Sequence, residues 1–378
     1  MRFLLSLILT VGFFIIPTVG TTATITEVLL SNVLNPPPSG NPSVLTTLCD
    51  ASNTCPMVSG FSFTDSERFW GRKDTTTNGG CITSTTGGVT GSWVACTTQP
   101  FTTTPSGYFT GASDGSVIAV NFVSPNCTIK RSVDNGSNWS TVFTAANPCP
   151  ISGNAGQHLF CLANGNCEFS TIDFNDFVTS IMRTYRSSDN GQNWGATTVS
   201  GTFLSMAGGM AGIAWDGSLG MFAALDSSGG SIKNFSASGD AWTQSGTAWT
   251  GSDTCAGPVI YNSSSRVVCS DGTNYRLRDV AGTVITTPLT LPGSSVAKNT
   301  GGIAYSTSTG VMYITAQLAS TAHATWMSTD GLATFTSLGA WGGANTTLQT
   351  GNAFFANSCV YFSTSSIGGT GFKFAKVC

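Results

Sequence analysis

The feature that most constrains this 378-residue chain is a short repeat. Ser132-Val-Asp134-Asn-Gly136-Ser-Asn-Trp139 returns almost unchanged as Ser187-Ser-Asp189-Asn-Gly191-Gln-Asn-Trp194. A third copy, Ser328-Thr-Asp330-Gly331-Leu-Ala-Thr-Phe335, has its glycine one place early, and Ser236-Ala-Ser-Gly-Asp240-Ala-Trp242 is a looser fourth. The residue types explain each other. A Ser hydroxyl and an Asp carboxylate accept hydrogen bonds from the backbone N–H groups of a tight turn, and glycine supplies a positive φ. The aromatic residue that follows folds back onto the strands. Every copy is therefore expected to join two strands and to do structural work.

The pattern Ser-x-Asp-x-Gly-x-x-Trp resembles the Asp-box, the hairpin repeat of sialidases and of many other secreted β-propellers. Counting the anchors after each turn gives Trp93, Trp139, Trp194, Trp242, Val284 and Phe335, at steps of 46, 55, 48, 42 and 51 residues. Such periods, with four short apolar strands in each, are those of propeller blades. The expected fold is thus all-β, a β-propeller of four-stranded blades. After Phe335 three strands remain before the chain stops, so the last blade lacks one. A β-branched stretch near the N-terminus, TATITEVLLSNV at residues 22–33, is a strand in search of a sheet. The expectation is seven blades, the last completed by residues 21–34, either in cis or donated to a neighbour. Six blades with a terminal cap is the alternative. Residues 35–56 then form a linker, stiffened by Pro36, Pro37 and Pro38, with a small disulfide loop, and residues 57–378 form the propeller.

Resemblance to sialidases implies an arginine triad, a Tyr nucleophile paired with Glu, an Asp acid/base and an Arg-Ile-Pro motif. The sequence holds no Arg-Ile-Pro, and its three glutamates are Glu27, Glu67 and Glu168. The resemblance covers the repeat and stops short of the active site, so no catalytic residue is assigned. Opposed carboxylates for other glycosidase chemistry would have to come from Asp65 with Glu67, or from Glu168 with Asp173 and Asp176. Arg276 and Arg278 share one strand face by alternation. His158 and His323 are the only histidines, which gives little basis for a metal site, and no cofactor is expected.

Residues 1–20 read as a secretory signal: Arg2, an apolar run from Phe3 to Ile16, then small residues, too short to cross a bilayer. No later apolar run is long enough to be a transmembrane segment. Export suits the 12 cysteines, an even number. Their positions around the hairpins suggest nearest-neighbour bridges: Cys49–Cys55, Cys81–Cys96, Cys127–Cys149, Cys161–Cys167, Cys255–Cys269 and Cys359–Cys378. Asn126, Asn135, Asn138, Asn234, Asn262 and Asn345 begin Asn-x-Ser/Thr sequons.

Charged residues make up only 9% of the chain, against roughly 25% in an average soluble protein, and the net charge is −3. With no basic run, nucleic acid is excluded as a partner. The surface is one of hydroxyls and amides, which repels its neighbours weakly. These features lead to the expectation of a non-enzymatic, secreted or cell-surface structural and interaction module. Its partners are expected to be itself, as a homo-oligomer or filament built by N-terminal strand donation, or another extracellular protein or glycan. A secreted glycan-binding or glycan-hydrolysing propeller is the alternative.

Overall fold

The computed structural model describes residues 44–49, 55–72, 80–101, 106–123, 126–145, 158–173, 179–200, 203–204, 210–215, 221–226, 232–238, 241–249, 254–255, 259–261, 264–270, 275–279, 300–306, 310–318, 322–330, 334–341, 348–349, 353–356, 359–363, 365–366 and 374–378. Residues 1–43 lie outside them. Every regular element described is a β-strand, and the strands form successive sheets in chain order, antiparallel except for one parallel pairing.

The first sheet holds Met57–Phe61, Phe69–Arg72, Cys81–Ser84 and Val94–Ala95. The second holds Ser106–Gly111, Val117–Val123, Asn126–Ser132 and Ser140–Thr144, and the third His158–Cys161, Cys167–Asp173, Thr179–Ser187 and Gly195–Ser200. Met210–Trp215, Met221–Asp226, Ile232–Ser238 and Ala241–Trp249 are joined to the third in one nine-stranded sheet, through the parallel pairing of Gly195–Ser200 with Ala241–Trp249, and further sheets start at Thr254–Cys255 and Thr300–Ser306. The last sheet holds Ala353–Ala356, Cys359–Ser363, Phe374–Val377 and, from the other end of the chain, Leu45–Cys49. First strands lie beside first strands: Met57–Phe61 against Ser106–Gly111, and Ser106–Gly111 against His158–Cys161. This is the propeller arrangement, in which sheets stack face to face around an axis.

Val117–Val123 shows why the sequence folds this way. It reads Val-Ile-Ala-Val-Asn-Phe-Val, a continuous apolar run rather than an alternating one, as expected of a strand covered on both faces. Alternation divides it. Val117 and Ala119 pack with Trp70, Cys81, Cys96 and Phe109 on the side of the first sheet. Ile118 and Val120 pack with Leu159, Phe169, Tyr185 and Trp194 on the side of the third. Cys359–Ser363 divides in the same manner. Cys359 and Tyr361 join Val58 and Phe69 of the first sheet, while Val360 and Phe362 join Val311 and Tyr313 of the preceding one. The core is thus a series of seams between sheets.

The joint between chain ends differs from the expectation. Leu45–Cys49 occupies the outer position of the last sheet, antiparallel to Phe374–Val377, with Leu45 opposite Val377 and Thr47 opposite Ala375. This strand lies inside the stretch read as linker, and residues 22–33 lie outside the described structure. The physical reason is in the pattern. Leu45-Thr-Thr-Leu48-Cys49 places Leu48 and Cys49 in the seam with Phe69 and Phe374, and Pro42 ends the spacer just before it. The joint is further fixed by a buried hydrogen bond from Val58 N to Ser363 Oγ at 3.0 Å. Val44 and Cys378 exchange backbone hydrogen bonds in both directions.

Bridges join Cys49 to Cys55, Cys81 to Cys96, Cys161 to Cys167 and Cys359 to Cys378, with Cα atoms 5.7, 5.4, 4.0 and 4.4 Å apart. Cys127 is disulfide-bonded; Cys149 lies outside the described residues. Cys255 and Cys269 stand opposite each other in backbone register. No described helix is long and apolar enough to cross a membrane.

Candidate functional site

A recurring side-chain hydrogen-bond network occupies the turns between third and fourth strands. In the turn that leaves Asn126–Ser132, the buried Ser132 Oγ accepts from Gly136 N at 2.8 Å and donates to Asp134 Oδ1 at 2.8 Å. Asp134 then accepts from Asn138 N at 2.8 Å and from Asn138 Nδ2 at 2.7 Å. The hydrogen bonds from the Asn138 amide, Asn138 N and Ser132 hold the Asp134 carboxyl down at about 2. Ser187, Asp189, Gly191 and Asn193 repeat this network with distances of 2.6–2.9 Å. Burial alone raises the Asp189 carboxyl, but donors on Asn193, Ser187 and Gln192 outweigh it and bring it below the usual value. At Asp330 the same two oxygens meet Thr334 N and Thr334 Oγ1, and Ser328 Oγ donates at 2.9 Å. Phe335 is half-buried. Gly331 and Asp240 lie outside the described residues; Ser236 and Trp242 are described by their backbone alone, in Ile232–Ser238 and Ala241–Trp249.

These turns also fasten one sheet to the one before. Asn135 and Gly136 take φ of 58° and 86°, Asn190 and Gly191 of 59° and 74°. Trp139 Nε1 donates to Thr98 O at 3.0 Å, across to the first sheet. Trp194 Nε1 instead closes its own turn on Gly191 O at 3.0 Å. Asn190 is the fastener of the third sheet. Its Oδ1 accepts from Ser113 Oγ at 2.7 Å, and its O accepts from Arg131 Nε at 3.0 Å. Arg131 also pairs with Asp114, which accepts from both the N–H and the hydroxyl of Ser116. Burial raises the Asp114 carboxyl, and Ser116 and Arg131 together more than reverse this.

One turn of this kind was marked in the sequence only by its anchor, Trp93. Ser84 Oγ accepts from Gly88 N at 3.0 Å and from Thr86 N at 3.3 Å, and Trp93 Nε1 donates to Gly88 O at 3.1 Å. The spacing Ser84-x-x-x-Gly88 matches Ser132-x-x-x-Gly136. Thr86 stands where the other turns have Asp, and the aromatic residue comes two places late. Searching for Ser and Gly four apart, without requiring Asp, finds it.

Of the carboxylates weighed for catalysis, Asp65 is a turn cap, accepting from Glu67 N and from Arg68 Nε at 3.2 and 3.1 Å. Glu168 is fully buried, with Arg186 Nε 3.4 Å from Oε2. Register gives its place a meaning. Glu168 is opposite Arg186 just as Ile118 is opposite Arg131, each arginine preceding the Ser of its turn. A buried acid thus replaces an aliphatic residue at one repeat position. The backbone of Asp173 ends its strand, and Asp176 lies outside the described residues. Arg276 and Arg278 are opposite Cys269 and Val267, on one face of Tyr275–Asp279. His158 and His323 lie on described strands, in register with Ser170 and Trp341. Among the described residues no three His, Cys, Asp or Glu side chains form a metal-sized group.

No family model matches the chain, and no curated protein matches it. Solved structures do. YCF48 from Cyanidioschyzon merolae superposes with a TM-score of 0.56 at 15% identity, over 88% of this chain and 98% of that one. The Niastella koreensis GH74 enzyme gives 0.53 at 15% identity, over 87% of this chain and 55% of that one. The Dos1 propeller gives 0.49 at 9% identity, over 84% of this chain and 78% of that one. At such identities the likeness is one of fold, and the fold is a β-propeller. The expectation that the chain is not an enzyme is corrected by these structures. They include a glycoside hydrolase built on the same fold, so the missing sialidase motifs remove one chemistry from this fold and leave others.

Proposed function

We infer that the protein is an exported, seven-bladed propeller whose Ser-x-Asp turns are Asp-boxes, and that it works as an extracellular interaction module. The observation that carries this reading is the pairing of Leu45–Cys49 with Phe374–Val377. The last sheet is complete without residues 22–33. The reading gives the β-prone segment on its proline-rich spacer the role of adding to an edge elsewhere. Added strands gain affinity from main-chain hydrogen bonds and specificity from alternate side chains. The charge-poor surface, with 9% charged residues, opposes such association weakly.

Topology supports a division of labour between the two ends of the ring. In each antiparallel meander the first and third turns share one end, and backbone bonding from Asn190 N to Gly165 O ties them together there. At that end the repeat carboxylates are used up within their own turns. The opposite end carries the links between sheets. Connections held on a rigid scaffold are where binding residues concentrate.

Deletion of residues 22–33 tests the reading. The full exported chain is expected to self-associate in light scattering, and the deletion variant to be monomeric with an unchanged melting temperature. Monomers in both cases overturn it.

A further inference from the structure

Two overlapping sequons lie in one turn, Asn135-Gly136-Ser137 and Asn138-Trp139-Ser140. We propose that Asn135 is an N-glycan acceptor and that Asn138 is not. The proposal rests on the exported reading above, because the sugar is added only to chains entering a secretory pathway.

The chemistry needs a side-chain amide that is accessible and not otherwise engaged. Its nitrogen forms a bond to the anomeric carbon of an oligosaccharide carried on a lipid pyrophosphate. The bond from that carbon to the pyrophosphate oxygen breaks, the lipid pyrophosphate leaves with the electron pair, and one amide proton passes to a base of the transferase.

Asn135 meets the requirement. It is exposed, it stands at a φ of 58° at the tip of the turn, and its side chain makes no hydrogen bond among the described residues. Comparison with the next repeat shows that this is a departure from the pattern. Its counterpart Asn190 is half-buried, accepts from Ser113 Oγ at 2.7 Å, and is followed by Gly191 and Gln192, which form no sequon. One repeat uses this position to fasten two sheets; the other leaves it in solvent and supplies the sequon.

Asn138 fails the requirement. Its Nδ2 donates to Asp134 Oδ2 at 2.7 Å, and the matching atoms of Asn193 and Thr334 serve Asp189 and Asp330 in the same way. A sugar on that nitrogen replaces one of its two hydrogens and must sit beside a carboxylate that three turns keep closed. A glycan on Asn135 instead projects from the turn end of the ring, keeps that end hydrated and leaves the opposite end for partners.

The test is to express the full chain, with its own leader, in a eukaryotic secretory host and to recover it from the medium. Enzymatic deglycosylation in heavy-oxygen water marks each formerly glycosylated asparagine by mass. The mark is expected at residue 135 and absent at 138; Asn135→Gln and Ser137→Ala are expected to lose it, and Asn138→Gln to keep it. Secreted protein unmarked at 135, or a mark at 138 that survives in Asn135→Gln, overturns the assignment. Retention of the chain inside the cell, without its disulfides, overturns the exported reading together with the assignment and is distinguishable from the first failure.

Discussion

Gly191 lies directly beneath Ile118. A Cβ built on Gly191 would collide with Ile118 Cδ1, and the residue has a φ of 74°. The glycine of one turn is therefore where that turn meets the seam of the sheet before it. A Cβ built on Gly136 would stand at the looser distance of 3.5 Å from Cys96 Sγ. Gly191→Ala adds a methyl group to a filled seam at a left-handed backbone position. It is expected to destabilise by about 2–3 kcal/mol, read by denaturant titration. Ile118→Ala in the same chain should restore part of the loss, since the two residues share one contact.

The turn carboxylates fix a pH dependence. Asp134 is held at about 2 and Asp189 is also lowered, so both are depressed in the folded chain. For a depressed carboxyl, stability is fully present above the unfolded value of 3.8 and is lost as pH falls through the folded value. The melting temperature is therefore expected to fall between about pH 4 and pH 2. Asp134→Asn should be less stable at neutral pH and should lose less in that window.

Glu168 and Arg186 form a pair in which one member is wholly buried. Arg186→Ala removes the cation whose Nε lies 3.4 Å from that carboxylate, and a loss of about 3 kcal/mol is expected. Replacing both, as Glu168→Ile with Arg186→Met, places at this repeat position the residue type found at Ile118. The double variant is expected to recover most of that loss in the same titration.

The terminal joint is held by the Cys359–Cys378 bridge, which closes 19 residues of chain. Cys378→Ser is expected to cost roughly 2–4 kcal/mol. Hydrogen exchange should quicken first in Leu45–Cys49, whose partner strand ends at Val377, and remain slow in Val117–Val123.

Much of the architecture follows from the sequence by itself, because it depends on local chemistry. A Ser, an Asp and a Gly at fixed spacing satisfy one turn's own N–H groups, so Ser132–Trp139 and Ser187–Trp194 are legible without any neighbour. Apolar runs such as Val117–Val123 announce strands buried on both faces, and their period announces the blades. The turn at Ser84 was marked only by Trp93 because its hydroxyl-to-glycine bond persists without the Asp that marks the others. What only the tertiary structure decided depends on residues far apart in the chain. Residues 22–33 and 45–49 are both β-prone. Pairing with Phe374–Val377 and burial of Leu48 and Cys49 against Phe69 put the second of them in the last sheet. The identical dipeptides Asn135-Gly136 and Asn190-Gly191 diverge for the same reason: Ser113 and Arg131 reach Asn190 across a seam, whereas Asn135 is left in solvent. Local sequence sets the conformation of each turn, and the sheet packed beside it determines whether that turn becomes a fastener or an exposed surface.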